Sequence, residues 1–390
     1  MYNINYMGPI TKDAKKLMKE DYKEVSDPAK ADAIFIRSKN VLNYTFPDSI
    51  VAIGRAGVGV NTIPVEKCAK QGIVVFNAPG ANSNGVKEMT IMALVFSQRD
   101  IISSINWLRS IENDTDLIEQ VEKKKGFYAG EEIRDKSLGV IGLGAIGGLV
   151  ANSAVNLDMN VKGYDPYISV SHAWGLSRSI KRVATIEKAV EDRDVITIHV
   201  PQKSDTLGLV NKELIRHMKK GVVIINFARG GIIDEDAIME GLNSGKISQY
   251  ITDFPSPKVM QMKNTIVIPH LGGSTIESEN NCASMAVREV MNYLENGNIG
   301  NSVNYPSIDA GICRSVRRIT INHLNQPSMI TRFATILSTN NVNIARLYNN
   351  SLNDVAYSII DLDTEIDEIT VKALESVPGV LKLRVLEKRA

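Results

Sequence analysis

Six residues near the middle of the chain have the glycine spacing that binds the phosphates of a dinucleotide: Gly142-Leu143-Gly144-Ala145-Ile146-Gly147. The apolar residues 138–141 before them predict a buried strand, and residues 145–156 after them predict a helix. In such a turn the first glycine permits the bend, the second lets the backbone approach a pyrophosphate, and the third lets helix and strand pack closely. The helix N-terminus favours the phosphate charge. We therefore expect a dinucleotide site, and a tight turn in another kind of α/β protein is the alternative.

An acidic residue follows the next predicted strand. Residues 160–164 form that strand and lead into Asp165, close to the offset of about 20 residues at which such folds place a ribose-binding acid. A carboxylate there accepts hydrogen bonds from the ribose hydroxyls and repels a 2′-phosphate, which favours NAD over NADP as the cofactor. If no cofactor binds, Asp165 is a turn residue before Pro166.

Two further side chains suited to chemistry follow predicted strands. Arg229 comes after residues 222–226, and His270 comes directly after residues 265–269. A nicotinamide cofactor carries a hydride and needs a partner that moves a proton, for which a histidine titrates in the right range. The planar guanidinium of an arginine can hold a carboxylate and polarise the adjacent oxygen. Each residue alone is more often structural, but together beside a dinucleotide turn they indicate catalysis.

The elements that position these residues alternate between strand and helix, which predicts parallel sheets. Ligands of such sheets bind at the carboxyl ends of the strands, where this chain has polar loops at residues 37–39, 54–61 and 77–82. A long amphipathic helical region is expected over residues 85–111, and a charge-rich solvated connection over residues 112–136. The other predicted strands are residues 34–37, 50–53, 73–77, 194–200 and 250–253, and the other predicted helices include residues 12–20, 65–71 and 274–297.

The last part of the chain forms a separate unit after a linker at residues 298–315. Its predicted order is strand, helix, strand, strand, helix, strand, which is the ferredoxin-like βαββαβ plan. The expected fold class is therefore α/β, with two doubly wound parallel-sheet domains, one of them of the Rossmann type, and a C-terminal ferredoxin-like domain.

Length and composition place the chain among ordinary globular proteins. Its 390 residues suggest two or three domains, and a net charge of +1 gives no basic field for nucleic acid. No apolar run is long enough to span a bilayer, and residues 1–9 lack the plan of a signal peptide. The three cysteines, Cys68, Cys282 and Cys313, are expected to be free thiols in a reducing cytoplasm rather than metal ligands.

These motifs together resemble the D-2-hydroxyacid dehydrogenase family, whose order they follow over most of residues 34–290. The resemblance implies NAD as the cofactor, His270 as the residue that takes the hydroxyl proton, and Arg229 as a ligand of the substrate carboxylate. Within the family the chain is most similar to members that oxidise D-3-phosphoglycerate, because Arg37-Ser38 matches their phosphate-binding pair. The matching stretches are residues 54–59, 142–147, 163–166, 199–201, 228–230 with 234–235, and 269–275.

The resemblance also implies the remaining site residues. Asp253 is expected to meet the nicotinamide carboxamide. The expected substrate-binding residues are Arg37, Ser38, Lys39, Gly57, Val58, Gly59 and Asn82. The expected cofactor-binding residues are Gly142, Gly144, Ala145, Ile146, Gly147, Asp165, His199, Val200, Pro201, Thr206, Ala228, Asp253 and Gly272.

The C-terminal unit resembles an ACT domain. His323-Leu324-Asn325-Gln326-Pro327 matches the first-strand motif of serine-binding ACT domains, and Asn343 matches their second asparagine. The resemblance implies L-serine as an effector that binds His323, Asn325 and Asn343. It also implies a homo-oligomer, a dimer or tetramer, if these sites straddle an interface between subunits.

The sequence departs from the family pattern at two points. The family carries a glutamate after the conserved aspartate, hydrogen-bonded to the catalytic histidine, but no carboxylate occurs between Asp253 and His270 here. Either another residue orients His270, or its pKa is lower than in those relatives, or activity is weak. The ACT motif normally continues with glycine, and Ser328 stands at that position.

The resulting domain plan assigns residues 1–83 and 274–297 to substrate binding, 84–273 to NAD binding, 298–315 to the linker and 316–390 to the ACT-type unit. The leading interpretation is an NAD-dependent oxidation of D-3-phosphoglycerate in serine synthesis. The alternatives are a dehydrogenase of another D-2-hydroxy acid, and a catalytically weak regulatory protein that binds NAD.

Overall fold

The computed structural model of the chain describes residues 1–388. It separates into two compact units, one formed by Met1–Asn82 with Ile276–Ala390 and the other by Ser83–Thr275. Among the described residues, no helix combines the length and the apolar character needed to cross a bilayer.

The first unit begins with a five-stranded parallel sheet in the order β2-β1-β3-β4-β5. Strands β1 and β2 were not predicted, and the helix predicted over residues 12–20 ends at Lys16 because the chain turns there to enter β2. The elements are β1 Tyr2–Tyr6, α1 Lys12–Lys16, β2 Tyr22–Glu24, β3 Ala33–Ile36, β4 Ala52–Arg55, α2 Val65–Lys70 and β5 Val74–Phe76.

The second unit holds a seven-stranded parallel sheet in the order β12-β11-β10-β9-β6-β7-β8. The order of the strands reverses between β6 and β9, and open α/β sheets bind ligands at such a switch point. The elements are α3 Ser83–Phe96, α4 Ile101–Ser110, α5 Leu117–Lys124, β6 Ser137–Ile141, α6 Gly147–Asn156, β7 Asn160–Tyr164, α7 Val170–Trp174, β8 Lys181–Arg182, α8 Ile186–Val190, β9 Val195–Ile198, α9 Lys212–His217, β10 Val222–Asn226, α10 Glu235–Asn243, β11 Ile247–Thr252 and β12 Thr265–Val267.

Two predicted regions of this unit contain more detail than the sequence indicated. The helical region predicted over residues 85–111 consists of two helices, because the Asp100 carboxylate accepts a hydrogen bond from Ser103 N at 3.2 Å and starts α4 as a new helix. The connection predicted over residues 112–136 contains α5, whose charged residues form an ion pair between Glu119 and Lys123 one turn apart.

The chain then returns to the first unit and ends in a four-stranded antiparallel sheet. Its order, β14-β15-β13-β16, and the succession βαββαβ agree with the predicted ferredoxin-like plan. Cys68, Cys282 and Cys313 are free and buried, as predicted. The elements are α11 Ile276–Asn296, β13 Arg317–Leu324, α12 Met329–Thr339, β14 Ile344–Leu352, β15 Val355–Leu362, α13 Glu368–Glu375 and β16 Val380–Glu387.

The two central strands of the antiparallel sheet, β13 and β15, are buried on both faces within their unit. Ile319 and Ile360 pack with the helices α12 and α13 on one side. Tyr357 and Ile359 belong to the other side, in the same core as Phe76 of β5. Every residue of β15 is consequently buried, as expected for a strand covered on both faces.

A buried ion pair fixes this sheet to the end of α11. Arg318 and Asp361 are 1% and 2% exposed, and the guanidinium donates to both carboxylate oxygens, at 2.6 and 3.0 Å. Its remaining N–H groups donate to the carbonyls of Asn296, Gly311 and Ala310, at 2.8, 2.9 and 3.3 Å. A buried charge with a full set of partners is stable, whereas one that loses its partner is costly.

We therefore expect Asp361→Asn to lower the free energy of unfolding of the first unit by about 3–5 kcal/mol, because it leaves the Arg318 charge buried without a counter-charge. Urea denaturation measures this change. Glu365→Gln is the matched control, since it removes the carboxylate that Arg317 meets at 2.7 Å on the exposed side of the same strand. An exposed pair contributes little, so equal losses in the two variants would contradict the account.

Candidate active site

The glycine turn lies at the switch point of the second unit, directly after β6. Gly142 has a φ of 89°, and a Cβ there would lie 2.5 Å from the His199 carbonyl oxygen. A Cβ on Gly147 would lie 1.9 Å from the Gly142 oxygen, whereas one on Gly144 would meet nothing within 4 Å. The first and third glycines are therefore required by packing, and the second leaves an open side that a ligand can approach. Ala145 and Ile146 complete the turn before α6 begins.

Asp165 connects the glycine turn to the end of β7. One carboxylate oxygen accepts a hydrogen bond from Leu143 N at 2.9 Å, and the other accepts one from Tyr167 N at 2.8 Å. Each carboxylate oxygen can accept two hydrogen bonds, so both retain capacity for hydroxyl donors of a ligand. The structure thus brings Asp165 to the glycine turn, and its role toward a ribose stays a prediction.

His199 follows β9 on the other side of the switch point. Its Nε2 hydrogen-bonds the Thr197 hydroxyl at 2.9 Å, and its Nδ1 is buried without a partner among the described residues. Burial lowers the pKa of His199 to about 3, so the ring is neutral near pH 7. After Val200, Thr206 closes the loop by donating to the Pro201 carbonyl at 2.6 Å.

The Arg229 loop is built on a residue that the motif analysis missed. Asn226 ends β10 fully buried, donates to the Arg229 carbonyl at 2.9 Å and accepts from Ala228 N at 3.1 Å. The Arg229 guanidinium donates to the Ala228 carbonyl at 2.7 Å, which leaves its other N–H groups for a ligand. The signal for Asn226 was a polar residue at the end of the apolar run Val222–Ile225.

Asp253 directly follows β11 and is 1% exposed. One carboxylate oxygen accepts from Gly272 N at 2.8 Å, and the other, Oδ1, is buried without a partner in the described part of the chain. Burial raises the pKa of Asp253, while the Gly272 N–H and the neighbouring His270 and Arg229 charges oppose that rise. An unpaired buried acceptor is costly, so this oxygen is suited to an amide donor of a ligand.

His270 lies in a turn just beyond β12 with its imidazole exposed. Its φ of 45° is left-handed, and its N–H bonds the Asp253 and Ile268 carbonyls at 3.0 and 2.9 Å. The Phe254 ring faces the imidazole at a centroid distance of 4.8 Å. No described residue hydrogen-bonds the imidazole. The glutamate that orients this histidine in the resembling family is therefore not replaced by another hydrogen-bonding carboxylate from this unit.

The expected substrate residues follow three neighbouring strands of the first unit. Arg37, Ser38 and Lys39 follow β3, Gly57, Val58 and Gly59 follow β4, and Asn82 lies beyond β5. The Asn77 amide donates to the Val58 carbonyl at 2.7 Å and joins two of these loops. The Arg37 guanidinium forms a half-exposed ion pair with Glu279 of α11, a partner too distant in sequence for any motif to reveal.

The three expected effector residues do not meet in one chain. His323 is 2% exposed, and its ring nitrogens already bond the Leu324 carbonyl at 2.8 Å and the Ser358 hydroxyl at 3.0 Å. Asn325 and Asn343 are exposed but lie at opposite ends of β15, roughly 30 Å apart at 3.3 Å per residue. Ser328 has a φ of 67°, a left-handed conformation that favours the glycine of the related motif.

Comparison with known proteins places this geometry in context. Residues 101–272 match the family described as D-isomer specific 2-hydroxyacid dehydrogenase, NAD binding domain. The D-3-phosphoglycerate dehydrogenase of Archaeoglobus fulgidus is 34% identical over 295 residues, which cover 73% of this chain and 54% of that protein. The Escherichia coli protein of that name is 28% identical over 363 residues, covering 90% and 84%. The chain therefore spans about half the length of the archaeal relative.

Two solved structures are also similar to this chain. The NAD+-bound 3-phosphoglycerate dehydrogenase of Entamoeba histolytica has a TM-score of 0.60 and 28% identity, covering 78% of this chain and 98% of that one. The D-mandelate dehydrogenase of Rhodotorula graminis has a TM-score of 0.64 at 20% identity, covering 80% and 98%, and indicates the fold alone.

The residues of the second unit fit NAD. The open side at Gly144 can admit the pyrophosphate beside the N-terminus of α6, and the Asp165 carboxylate can accept from ribose hydroxyls. The unpaired Asp253 Oδ1 can accept from a carboxamide.

Two glycine variants test this fit. Gly144→Ala is expected to fold with an unchanged melting temperature but to bind NADH at least about tenfold more weakly, because its methyl group fills the open side. Gly147→Ala is expected to lower the melting temperature, since its methyl group collides with the Gly142 oxygen. Thermal melts and fluorescence titration with NADH measure both effects. Undiminished NADH binding by Gly144→Ala would place the pyrophosphate elsewhere.

Proposed function

Since residues 101–272 belong to the NAD-binding domain family of the D-isomer specific 2-hydroxyacid dehydrogenases, we propose that this chain is an NAD-dependent dehydrogenase. Its substrate is D-3-phosphoglycerate, which it oxidises to 3-phosphohydroxypyruvate as the first step of L-serine synthesis. The observation that carries the proposal is the grouping of Arg229, Asp253 and His270. These residues follow β10, β11 and β12, which are neighbours in one sheet, and both His270 and Arg229 interact electrostatically with the Asp253 carboxyl.

Each residue of this group has a separate task in the proposed reaction. Bound NAD supplies the hydride acceptor. His270 takes the proton of the substrate hydroxyl as the C2 hydrogen leaves as hydride, and its exposed ring is free to do so. Arg229 holds the substrate carboxylate with the N–H groups that the Ala228 carbonyl does not use, and it polarises the adjacent oxygen. Asp253 holds the carboxamide through Oδ1.

The phosphate end of the substrate distinguishes this proposal from its nearest alternative. We assign the phosphate to Arg37, Ser38 and Lys39, and the carboxylate also to the amides of residues 57–59. The Arg37–Glu279 ion pair affects this choice, because a bound phosphate must either share Arg37 with the Glu279 carboxylate or displace that carboxylate. A dehydrogenase of an unphosphorylated D-2-hydroxy acid is therefore the second candidate.

Among the described residues, no carboxylate hydrogen-bonds the His270 imidazole. This favours a third candidate, a catalytically weak protein that binds NAD for regulation. NADH oxidation separates the three candidates. Activity with 3-phosphohydroxypyruvate but not with pyruvate or glyoxylate supports the proposal, activity with the unphosphorylated acids supports the second candidate, and NADH binding without turnover supports the third.

Arg37 provides the corresponding mutational test. Arg37→Ala is expected to raise KM for 3-phosphohydroxypyruvate about 10- to 100-fold, since a charge-assisted hydrogen bond contributes about 1.5–3 kcal/mol. Glu279→Gln is the matched variant, because it frees the same guanidinium and is expected to lower that KM. Steady-state kinetics at saturating NADH give both values. If KM stays constant in both variants, the phosphate is bound elsewhere.

We also propose that the C-terminal sheet is an ACT-type domain that binds L-serine between two copies of the chain. Asn325 and Asn343 can hydrogen-bond the carboxylate, ammonium and hydroxyl groups of an amino acid. Because they occupy opposite ends of β15, one site needs Asn325 of one copy and Asn343 of another. The buried, fully bonded His323 then supports the sheet rather than contacting serine.

Calorimetric titration tests this regulation. L-serine is expected to release heat with the wild-type chain and none with Asn325→Ala, which loses an amide of the site. Asn340→Ala is the control, since Asn340 is an exposed amide at the end of α12. No heat from the wild-type chain at millimolar serine would leave the C-terminal sheet as an assembly module.

A further inference from the structure

The side chain that faces the His270 imidazole is aromatic. The Phe254 and His270 ring centroids are 4.8 Å apart, with 53° between the ring planes. This distance lies in the range of about 4.5–7 Å over which aromatic rings attract one another. In the described part of the chain, this is the ring contact of the His270 imidazole, and the other side-chain interaction is electrostatic, with the Asp253 carboxyl.

The backbone fixes where the His270 side chain begins but not where its ring points. Two hydrogen bonds from its N–H, to the Asp253 and Ile268 carbonyls, hold the residue at its left-handed φ of 45°. A non-glycine residue in that region carries strain that its surroundings must hold. The ring itself is exposed and still turns about two side-chain bonds, so its orientation depends on a side-chain contact.

Hydrogen bonds through the Thr252 hydroxyl fix the backbone of Phe254. Its N–H donates to the Thr252 hydroxyl at 3.1 Å, and that hydroxyl donates to the Asn226 carbonyl at 2.9 Å. A Cβ on Gly230 would lie 3.4 Å from the Phe254 Cβ, so Phe254 also lies beside the loop that carries Arg229. One aromatic residue therefore contacts the His270 ring and lies next to the other loop of the proposed reaction.

We propose that Phe254 is the positioning residue of His270 and takes over the orienting task that a carboxylate performs elsewhere. The inference rests on the proposed function, in which His270 moves the substrate proton. A carboxylate would orient an imidazole and also favour its charged form. The Phe254 ring orients the imidazole by packing and carries no charge, while the Asp253 carboxylate interacts with His270 through its charge alone, without a hydrogen bond to the imidazole among the described residues.

A double-mutant cycle tests whether Phe254 acts through His270. Phe254→Leu keeps apolar bulk without the ring and is expected to lower kcat about 10- to 100-fold, as misplaced catalytic groups do, with KM for NADH unchanged. Phe254→Tyr keeps the ring and is expected to retain most of kcat. In a His270→Ala background, Phe254→Leu is expected to change nothing further. An equal loss in both backgrounds, or no loss in either, would overturn the inference.

A second readout does not depend on activity. In the histidine-labelled full chain, the His270 ring signals are identified among those of the five histidines by their loss in His270→Ala. Phe254→Leu is expected to shift these signals by removing the ring current, whereas Phe254→Tyr preserves them. Unmoved signals would disprove the contact. A wild-type chain without dehydrogenase activity would instead overturn the proposed function, and the ring-current shift would still report whether Phe254 holds His270.

Discussion

The proposed chemistry depends on one buried residue, Asp253, which anchors the turn that carries His270 at two points. Its backbone carbonyl accepts from His270 N at 3.0 Å, and its carboxylate accepts from Gly272 N at 2.8 Å. A Cβ on Gly272 would lie 2.8 Å from that carboxylate oxygen, so the turn closes onto Asp253 only with glycine there. The position of the His270 backbone therefore follows from the burial of one acid at the end of β11.

Burial of the Asp253 carboxylate is energetically unfavourable, and the groups placed around it offset this penalty. Burial raises the pKa of Asp253, whereas the Gly272 N–H and the electrostatic interactions with His270 and Arg229 oppose the rise. The second carboxylate oxygen still lacks a donor among the described residues. Under the proposed function, a dinucleotide that presents a carboxamide there would complete the hydrogen bonds of the acid, and cofactor binding would then be coupled to order at the His270 turn through Asp253.

The features that were predictable from sequence are those encoded over a few consecutive residues. The glycine turn could be predicted directly, because Gly142 and Gly147 meet steric demands and Gly144 leaves space for a ligand, all within one strand, turn and helix. Asn226 was missed because it belongs to none of the motifs, although its partners lie in the loop that directly follows it. Phe254 was missed because its ring partner lies in another loop. The ion pair of Arg37 with Glu279 joins a residue that follows β3 to one on α11, which only the folded chain brings together. The new helix start at Asp100 was not predicted, because the apolar periodicity continues past it and a single capping residue is the weaker signal.

The most direct test of the account is the single-turnover rate of NADH consumption with 3-phosphohydroxypyruvate, compared between the wild-type chain and His270→Ala. The account predicts a fall of about 10²–10⁴-fold, the usual loss when a general acid is removed, with NADH affinity retained. A variant that consumes NADH at a near wild-type rate would contradict the assignment of proton transfer to His270.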